Sequence, residues 1–196
     1  MRRFLLSLAL TLCGVVSVRA EQDLYNPLAV GLRWEVDVEV TTVGGNAVQG
    51  TSVREITGTE KIGRYNYFVV TTSFTGVPQM KDFTIFRRKS AHGVFGIFDG
   101  DTEKREIMEA ALPLDVGQSW KTIVGTRVII STVESKESVT AGGKTYENCI
   151  KVNYKTSDGG MKGTFYQAPD VGNVLETQTR DGATYKFTLK KFSGLK

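Results

Sequence analysis

The sequence predicts an all-β fold: a strongly curved antiparallel sheet or partly open barrel built from two tandem related halves. Three observations carry that prediction. First, apolar residues recur at period two. In Arg33–Thr41, Trp34, Val36, Val38 and Val40 share one face, while Arg33, Glu35, Asp37 and Glu39 share the other. Second, glycine-rich turn signals punctuate the chain at hairpin spacing. Third, the phrase Pro27-Leu28-Ala29-Val30-Gly31-Leu32-Arg33-Trp34 returns as Pro113-Leu114-Asp115-Val116-Gly117-Gln118-Ser119-Trp120, and both Trp residues of the chain close a copy of it.

Residues 1–20 read as a cleaved signal peptide. Arg2 and Arg3 precede the mostly apolar stretch Phe4–Val18, and Val18-Arg19-Ala20 fits a small-residue cleavage site. The apolar run is shorter than the ~20 residues a membrane span needs, so no transmembrane segment is expected after cleavage. Cleavage also removes Arg2, Arg3 and Arg19, which takes the 25 Lys+Arg to 22 against 21 Asp+Glu. A near-neutral mature chain lacks the electrostatic footprint of a nucleic-acid binder. Cys13 leaves with the leader, so Cys149 has no intrachain disulfide partner. An exported chain without disulfides or an N-x-S/T sequon fits a Gram-negative-like bacterial envelope: periplasmic or secreted.

Along the chain, Arg33–Thr41 is followed by expected strands at Ser52–Glu60, Tyr65–Phe74, Lys81–Lys89, Gly93–Phe98 and Glu103–Met108. The second half reads as Trp120–Val133, Glu134–Val139, Tyr146–Thr156, Gly163–Gln167, Asn173–Thr179 and Thr184–Phe192. Turns are expected at Gly44-Gly45-Asn46, Asp99-Gly100, Gly142-Gly143, Asp158-Gly159-Gly160 and Asp181-Gly182, the last being the cleanest two-residue hairpin signal. Glu103–Ala111 also has helix-forming composition, and competes between a short helix and an edge strand.

The repeat extends beyond its opening phrase. Tyr65 meets Tyr146, Val69 meets Ile150, Met80-Lys81 meets Met161-Lys162, and Asp99-Gly100 meets Asp181-Gly182, with a drifting offset that loops can absorb. The expected division is residues 21–111 for the first β repeat and 112–196 for the second, in one continuous domain or two.

The opener Tyr25-Asn26-Pro27-Leu28-Ala29-Val30-Gly31-Leu32-Arg33-Trp34 resembles the start of a group of exported bacterial β-sheet proteins of unknown function, which read Y-x-P-L-x-V-G-x-x-W. Their later A-G…C…A-P-x-V-G-x-V module is similar to Ala141-Gly142-Gly143…Cys149 and to Ala168-Pro169-Asp170-Val171-Gly172-Asn173-Val174. Thr140 replaces the usual Pro and Asn173 a usual hydrophobic residue. The resemblance implies a strongly bent antiparallel sheet, similar in fold to the half-barrels of periplasmic lipoprotein carriers, which hold acyl chains on a concave face.

Little in the sequence favours catalysis. His92 is the only histidine, and Ser90-Ala91-His92-Gly93 reads as a turn. One Cys and one His cannot close a zinc site. Asp99-Gly100-Asp101-Thr102-Glu103 alternates oxygen donors as a calcium loop does but lacks the distal glutamate, so it reads as a charged hairpin tip. No cofactor and no metal are expected. Cys149 reads as a small buried residue on a strand, and Arg87-Arg88-Lys89 as a solvated strand end. The aromatic residues offer the clearest site: Trp34, Tyr67, Phe83, Trp120 and Phe165 are the candidates for an apolar groove, because a bent sheet with little helix to cover it exposes its concave face. The expected function is therefore a non-enzymatic envelope protein binding a lipid, another hydrophobic ligand or a polypeptide segment. The alternatives are a structural or assembly protein acting through edge strands on an envelope partner, and a carboxylate-dependent hydrolase.

Overall fold

A computed structural model describes residues 24–194. Residues 1–23, with the expected leader and Cys13, lie outside them. Twelve antiparallel strands form one sheet: β1 (Arg33–Thr41), β2 (Ala47–Ile62), β3 (Tyr65–Thr75), β4 (Phe83–Ser90), β5 (Gly93–Phe98), β6 (Ile107–Ala111), β7 (Ser119–Val124), β8 (Arg127–Ala141), β9 (Lys144–Thr156), β10 (Met161–Ala168), β11 (Gly172–Arg180) and β12 (Ala183–Ser193). No helix forms among the described residues. The strand order is β6-β5-β4-β3-β2-β1-β12-β11-β10-β9-β8-β7. The two runs of six strands join where β1 pairs with β12, from Arg33↔Ser193 to Thr41↔Thr184.

The sheet curls into a nearly closed barrel with an unsealed seam where β6 faces β7. Curling removes every edge but those two. The seam carries side-chain bridges instead of a backbone ladder: Trp120 Nε1–H donates to the Glu109 carbonyl at 3.0 Å, and Thr122 Oγ1 to the Met108 carbonyl at 2.6 Å.

The two repeated phrases build the same local structure. Gly31 and Gly117 both adopt φ +90°, a left-handed conformation that a side chain would strain. Leu32 N–H donates to Ala29 O, as Gln118 N–H does to Asp115 O; Gly31 N–H donates to Ile56 O, as Gly117 N–H does to Val133 O. Each Trp then turns inward and is buried, donating its indole N–H to a distant carbonyl: Trp34 to Val171, Trp120 to Glu109.

Alternation fixes the inside of the barrel. On β1, Trp34, Val38 and Val40 are buried while Asp37 and Glu39 are exposed, as their period-two spacing predicts. Val38, Val40, Val77 and Met80 close one side of the end at which β1 runs into β2. The opposite end is crossed by residues 24–32, anchored by Asp170 N–H to Leu24 O, Gln167 Nε2 to Asn26 Oδ1 and Tyr25 OH to Asn148 O. The tip of the β8–β9 hairpin bends toward β12, with Gly142 close against the Leu189 carbonyl. Bulges at Val133/Ser135 and Glu137/Val139 give that bend.

Three sequence expectations need correcting. Trp120–Val133 is two strands, because Gly125 (φ +60°) and Thr126 turn β7 into β8. The flanking Ile123-Val124 and Val128-Ile129 made the run look continuous. Glu134–Val139 is then the middle of β8, not a strand of its own. Residues 99–106 are a loop, and the edge strand starts later, at Ile107.

That loop also overturns the reading of Arg87-Arg88-Lys89 as a solvated strand end. Arg87 points into the barrel. Arg88 points outward but is covered: its side chain is 14 % exposed and pairs with Glu106 through two bonds of 2.5 and 2.6 Å. Tyr67 OH donates to the same carboxylate at 2.6 Å, and the Arg88 guanidinium stacks 4.1 Å from the Tyr65 ring centroid. The loop thereby lies over an outer apolar cluster of Tyr67, Phe86 and Ile97. Burial pushes the Glu106 carboxyl upward, but the hydrogen bonds from Arg88 and Tyr67 outweigh it and hold the group below its ordinary range. Its folded value thus lies below the unfolded value of about 4.3. The clamp's stabilisation is complete above that pH and is lost as pH falls through the folded value. Hydrogen exchange in residues 99–106 should therefore accelerate below about pH 4, beyond the intrinsic chemistry. Glu106→Gln should exchange at the faster rate at pH 7. An acid-insensitive loop would mean that other contacts hold it.

Candidate functional site

The inward faces enclose a cavity of about 580 Å³, within the roughly 300–1,000 Å³ of small-molecule sites. A smaller space of about 200 Å³ adjoins it, and the two share Trp34, Arg54, Phe83, Asn173, Glu176 and Gln178. The apolar wall includes Ile56, Val70, Ile85, Val94 and Phe165. The cavity reaches the end where β5 leads to β6 and β7 to β8. There Phe83, Phe98 and Val124 each stay more than a third exposed. A separate concavity of about 500 Å³ lies on the outer face of β8–β11, lined by Thr132, Lys155, Lys162, Thr164 and Thr177. It is more open than the lumen and mostly apolar in surface, with Lys155 and Lys162 at its sides, and it lacks the opposed, convergent charges of the lumen.

Those charges are arranged in two groups. Arg87 and Glu109 form a largely buried pair, with Nη2–Oε2 at 2.5 Å and Nε–Oε1 at 2.9 Å. Gly96 makes room for it: a β-carbon there would collide with Glu109 Oε1 and Ile85 Cδ1. Glu176 accepts from Tyr154 OH at 2.7 Å and Asn173 Nδ2 at 3.0 Å. Burial, and then the Glu176 charge, push the Tyr154 hydroxyl far upward, so it stays a donor at any physiological pH. Gly163 is the counterpart of Gly96 here, since the Tyr154 ring lies against its backbone.

Arg54 stands apart. It projects inward from β2 between Trp34 on β1 and Thr72 on β3, its partners in register. Part of its surface faces the cavity, and the rest packs against protein. Burial pulls its guanidinium down to about 10, the Arg87 charge adds to the fall, and Glu176 and Glu109 partly offset both. It therefore remains a cation at neutral pH. No carboxylate of the described residues comes within 4.0 Å of it, and it makes no hydrogen bond to them. Beside it, Thr72 Oγ1 is buried without a hydrogen-bond partner, as are Gln167 Oε1 and Asn173 Oδ1 on the opposite wall.

Of the five residues expected to line an apolar groove, Trp34, Phe83 and Phe165 line the cavity together. Trp120 faces inward but is packed into the seam with Val94, Ala110 and Val152. Tyr67 lies on the outer face under the 99–106 loop. The residues that sequence reasoning missed are the charged ones: Arg54, Arg87, Glu109 and Glu176. Their signal was positional. Ser52, Arg54 and Ile56 alternate with Thr51, Val53 and Glu55, so a charge sits on the apolar face of β2.

The remaining candidates lie away from the lumen charges. Cys149 is buried; desolvation raises its thiol to about 11, and Sγ–H donates to the Tyr146 carbonyl. His92 is exposed in the β4–β5 turn. Asp101 accepts from the Glu103 N–H and from Arg105, closing the hairpin tip on itself.

No protein-family model and no curated protein matches this sequence. Solved structures do match in fold. One is a "putative exported protein with YmcC-like fold" from Bacteroides fragilis, at TM-score 0.57 and 12 % identity, covering 88 % of this chain and 100 % of that one. Another is a "putative lipoprotein" from Parabacteroides distasonis, at TM-score 0.48 and 13 % identity, covering 87 % and 99 %. At such identities the likeness is one of fold, and on the first comparison this chain adopts a barrel of the YmcC-like kind.

Proposed function

We propose that this chain is an exported, non-enzymatic envelope protein that binds a hydrophobic ligand inside its barrel. The observation that supports it most is the cavity of about 580 Å³ reaching a rim of partly exposed Phe83, Phe98 and Val124. A core built only for stability is packed to crystal-like density and leaves few voids larger than a water. An apolar, open-ended space of this size is the ordinary shape of a ligand site. The name carried by the Bacteroides fragilis structure agrees with an exported setting. The twin openers, each leading a run of six strands, support an origin by duplication, with halves at 21–111 and 112–196.

Hydrolysis fits the lumen less well, although Glu109 and Glu176 both line it. Glu109 is neutralised by Arg87, and Glu176 is held by Tyr154 and Asn173. Neither is placed to give up a proton and take one back without first losing its partners. Assembly through edge strands has only β6 and β7 to work with, and Trp120 and Thr122 already bridge them.

The test is native mass spectrometry of the exported protein purified from the envelope without detergent, with uptake of a hydrophobic dye as a second readout. The expected result is extra mass of a few hundred daltons released on denaturation, together with dye binding. Phe83→Asp and Phe98→Asp should weaken the dye about tenfold, since each sets a charge at an apolar rim position exposed enough to spare the fold. A bare protein that takes up no dye would overturn the reading. A bare oligomer would favour assembly.

A further inference from the structure

We infer that the ligand is an acidic amphiphile, a single-chain carboxylate whose head group pairs with Arg54; this rests on the lumen reading above and names the chemistry of what fills it. Each of the other charged side chains on the cavity wall already has a partner. Arg87 is matched by Glu109, Glu176 is satisfied by Tyr154 and Asn173, and Arg180 lies 3.6 Å from Asp181. Arg54 lines both the large and the small cavity and has no such partner. Thr72 Oγ1, on a residue only 5 % exposed, lines the smaller space beside it and is likewise unpartnered.

A neutral hydrophobe in this lumen would leave a buried guanidinium uncompensated, which is among the costliest arrangements a protein interior can hold. A carboxylate corrects it. Its two oxygens match the planar fork of an arginine, and the Thr72 hydroxyl can donate to the same group. A doubly charged phosphate would call for a second free cation, and Arg87 is committed to Glu109. The apolar chain then runs from Arg54 along Ile56, Val70 and Ile85 toward Phe83 and Phe98, all on the same cavity wall.

The experiment compares oleate with oleyl alcohol, which share a chain and differ in the head, by calorimetric titration of the full exported protein at pH 7. The wild type should prefer oleate by about 10- to 100-fold, the range of a charge-assisted hydrogen-bonded contact. Arg54→Met should abolish the preference: oleate weakens, while oleyl alcohol binds as tightly as before or more tightly, because the uncompensated charge that penalised it is gone. It should fold, because it removes an unpaired buried charge in favour of an apolar side chain of similar length. Thr72→Val, nearly isosteric, should weaken oleate about 3- to 10-fold and serves as the second variant. Equal affinity of the wild type for both compounds would overturn the acidic-head assignment and leave the lumen reading standing. A preference for oleate that survives Arg54→Met would overturn the role of Arg54. Binding of neither compound would overturn the lumen reading as well.

Discussion

Replacing Trp120 by alanine is expected to cost the fold about 3–5 kcal/mol, the range of Trp truncation in a packed core. That corresponds to a fall in Tm of roughly 6–20 °C for a chain of this size. The side chain has two roles. Its ring is 5 % exposed and packs with Val94, Ala110 and Val152, and its indole N–H reaches across the seam to the Glu109 carbonyl. Elsewhere the barrel is held by backbone ladders, which persist when one side chain goes. At the seam the side-chain bonds of Trp120 and Thr122 stand in for a ladder. The loss should therefore be localised as well as large: hydrogen exchange should rise first in β6 and β7, before β2, β3 and β9. Thr122→Val removes the other bridge, keeps its volume, and should cost only about 1 kcal/mol. Trp34→Ala supplies the contrast. It removes an equally buried ring, but from a strand with laddered neighbours on both sides, so its exchange should rise without singling out one edge. If Trp120→Ala loosened the whole barrel evenly, the seam would not be the weak line that its hydrogen bonding implies.

Much of this barrel was legible in the sequence because its determinants are local. Arg33–Thr41 and Gly93–Phe98 coincide with β1 and β5, since alternation and the flanking turns define them without reference to any distant residue. Asp181-Gly182 is the β11–β12 turn, with positive φ at both residues as its type demands. What failed was either masked by its immediate neighbours or non-local. Gly125-Thr126 looked like the interior of a strand because β-branched residues flank it, and only the pairing of Val124 with Arg127 reveals a turn. The pairing of β1 with β12 closes the sheet, yet no motif marks it. The site was half legible for the same reason. Trp34, Phe83 and Phe165 were found because large apolar residues on strands point to an enclosed face. Tyr67 was misplaced because parity alone cannot say that a loop covers the outer surface. Arg54, Arg87, Glu109 and Glu176 were missed because a charge on a strand is presumed to meet water. Their inward parity was visible, but the closure that makes inward mean buried was not.

Gly163→Ala should destabilise the protein by about 2–4 kcal/mol, although it adds a single methyl group. A β-carbon at this position would lie 2.5 Å from both Cζ and the hydroxyl oxygen of Tyr154, and 2.6 Å from the Thr177 carbonyl. The carbonyl cannot yield, because it belongs to β11, whose ladder with β10 runs through Gly163↔Gln178 and Thr164↔Thr177. That clash remains as strain in the ladder, and the Tyr154 ring must move as well. It then gives up its bond to Glu176 and its contact with Phe165, whose ring centroid lies 5.9 Å away. Glu176 loses one of its two donors inside the barrel, and that loss of a charge-assisted bond is what makes a methyl group so costly. Gly58→Ala is the control: nothing lies within 4 Å of its β-carbon position, its φ is not positive, and its effect should stay within about 0.5 kcal/mol. A double-mutant cycle locates the clash. In a Tyr154→Ala background the ring is gone, so Gly163→Ala should cost at least about 1 kcal/mol less than in the wild type. Strict additivity would place the strain at Thr177 alone. The same glycine would then serve strand pairing and not the Tyr154–Glu176 pair.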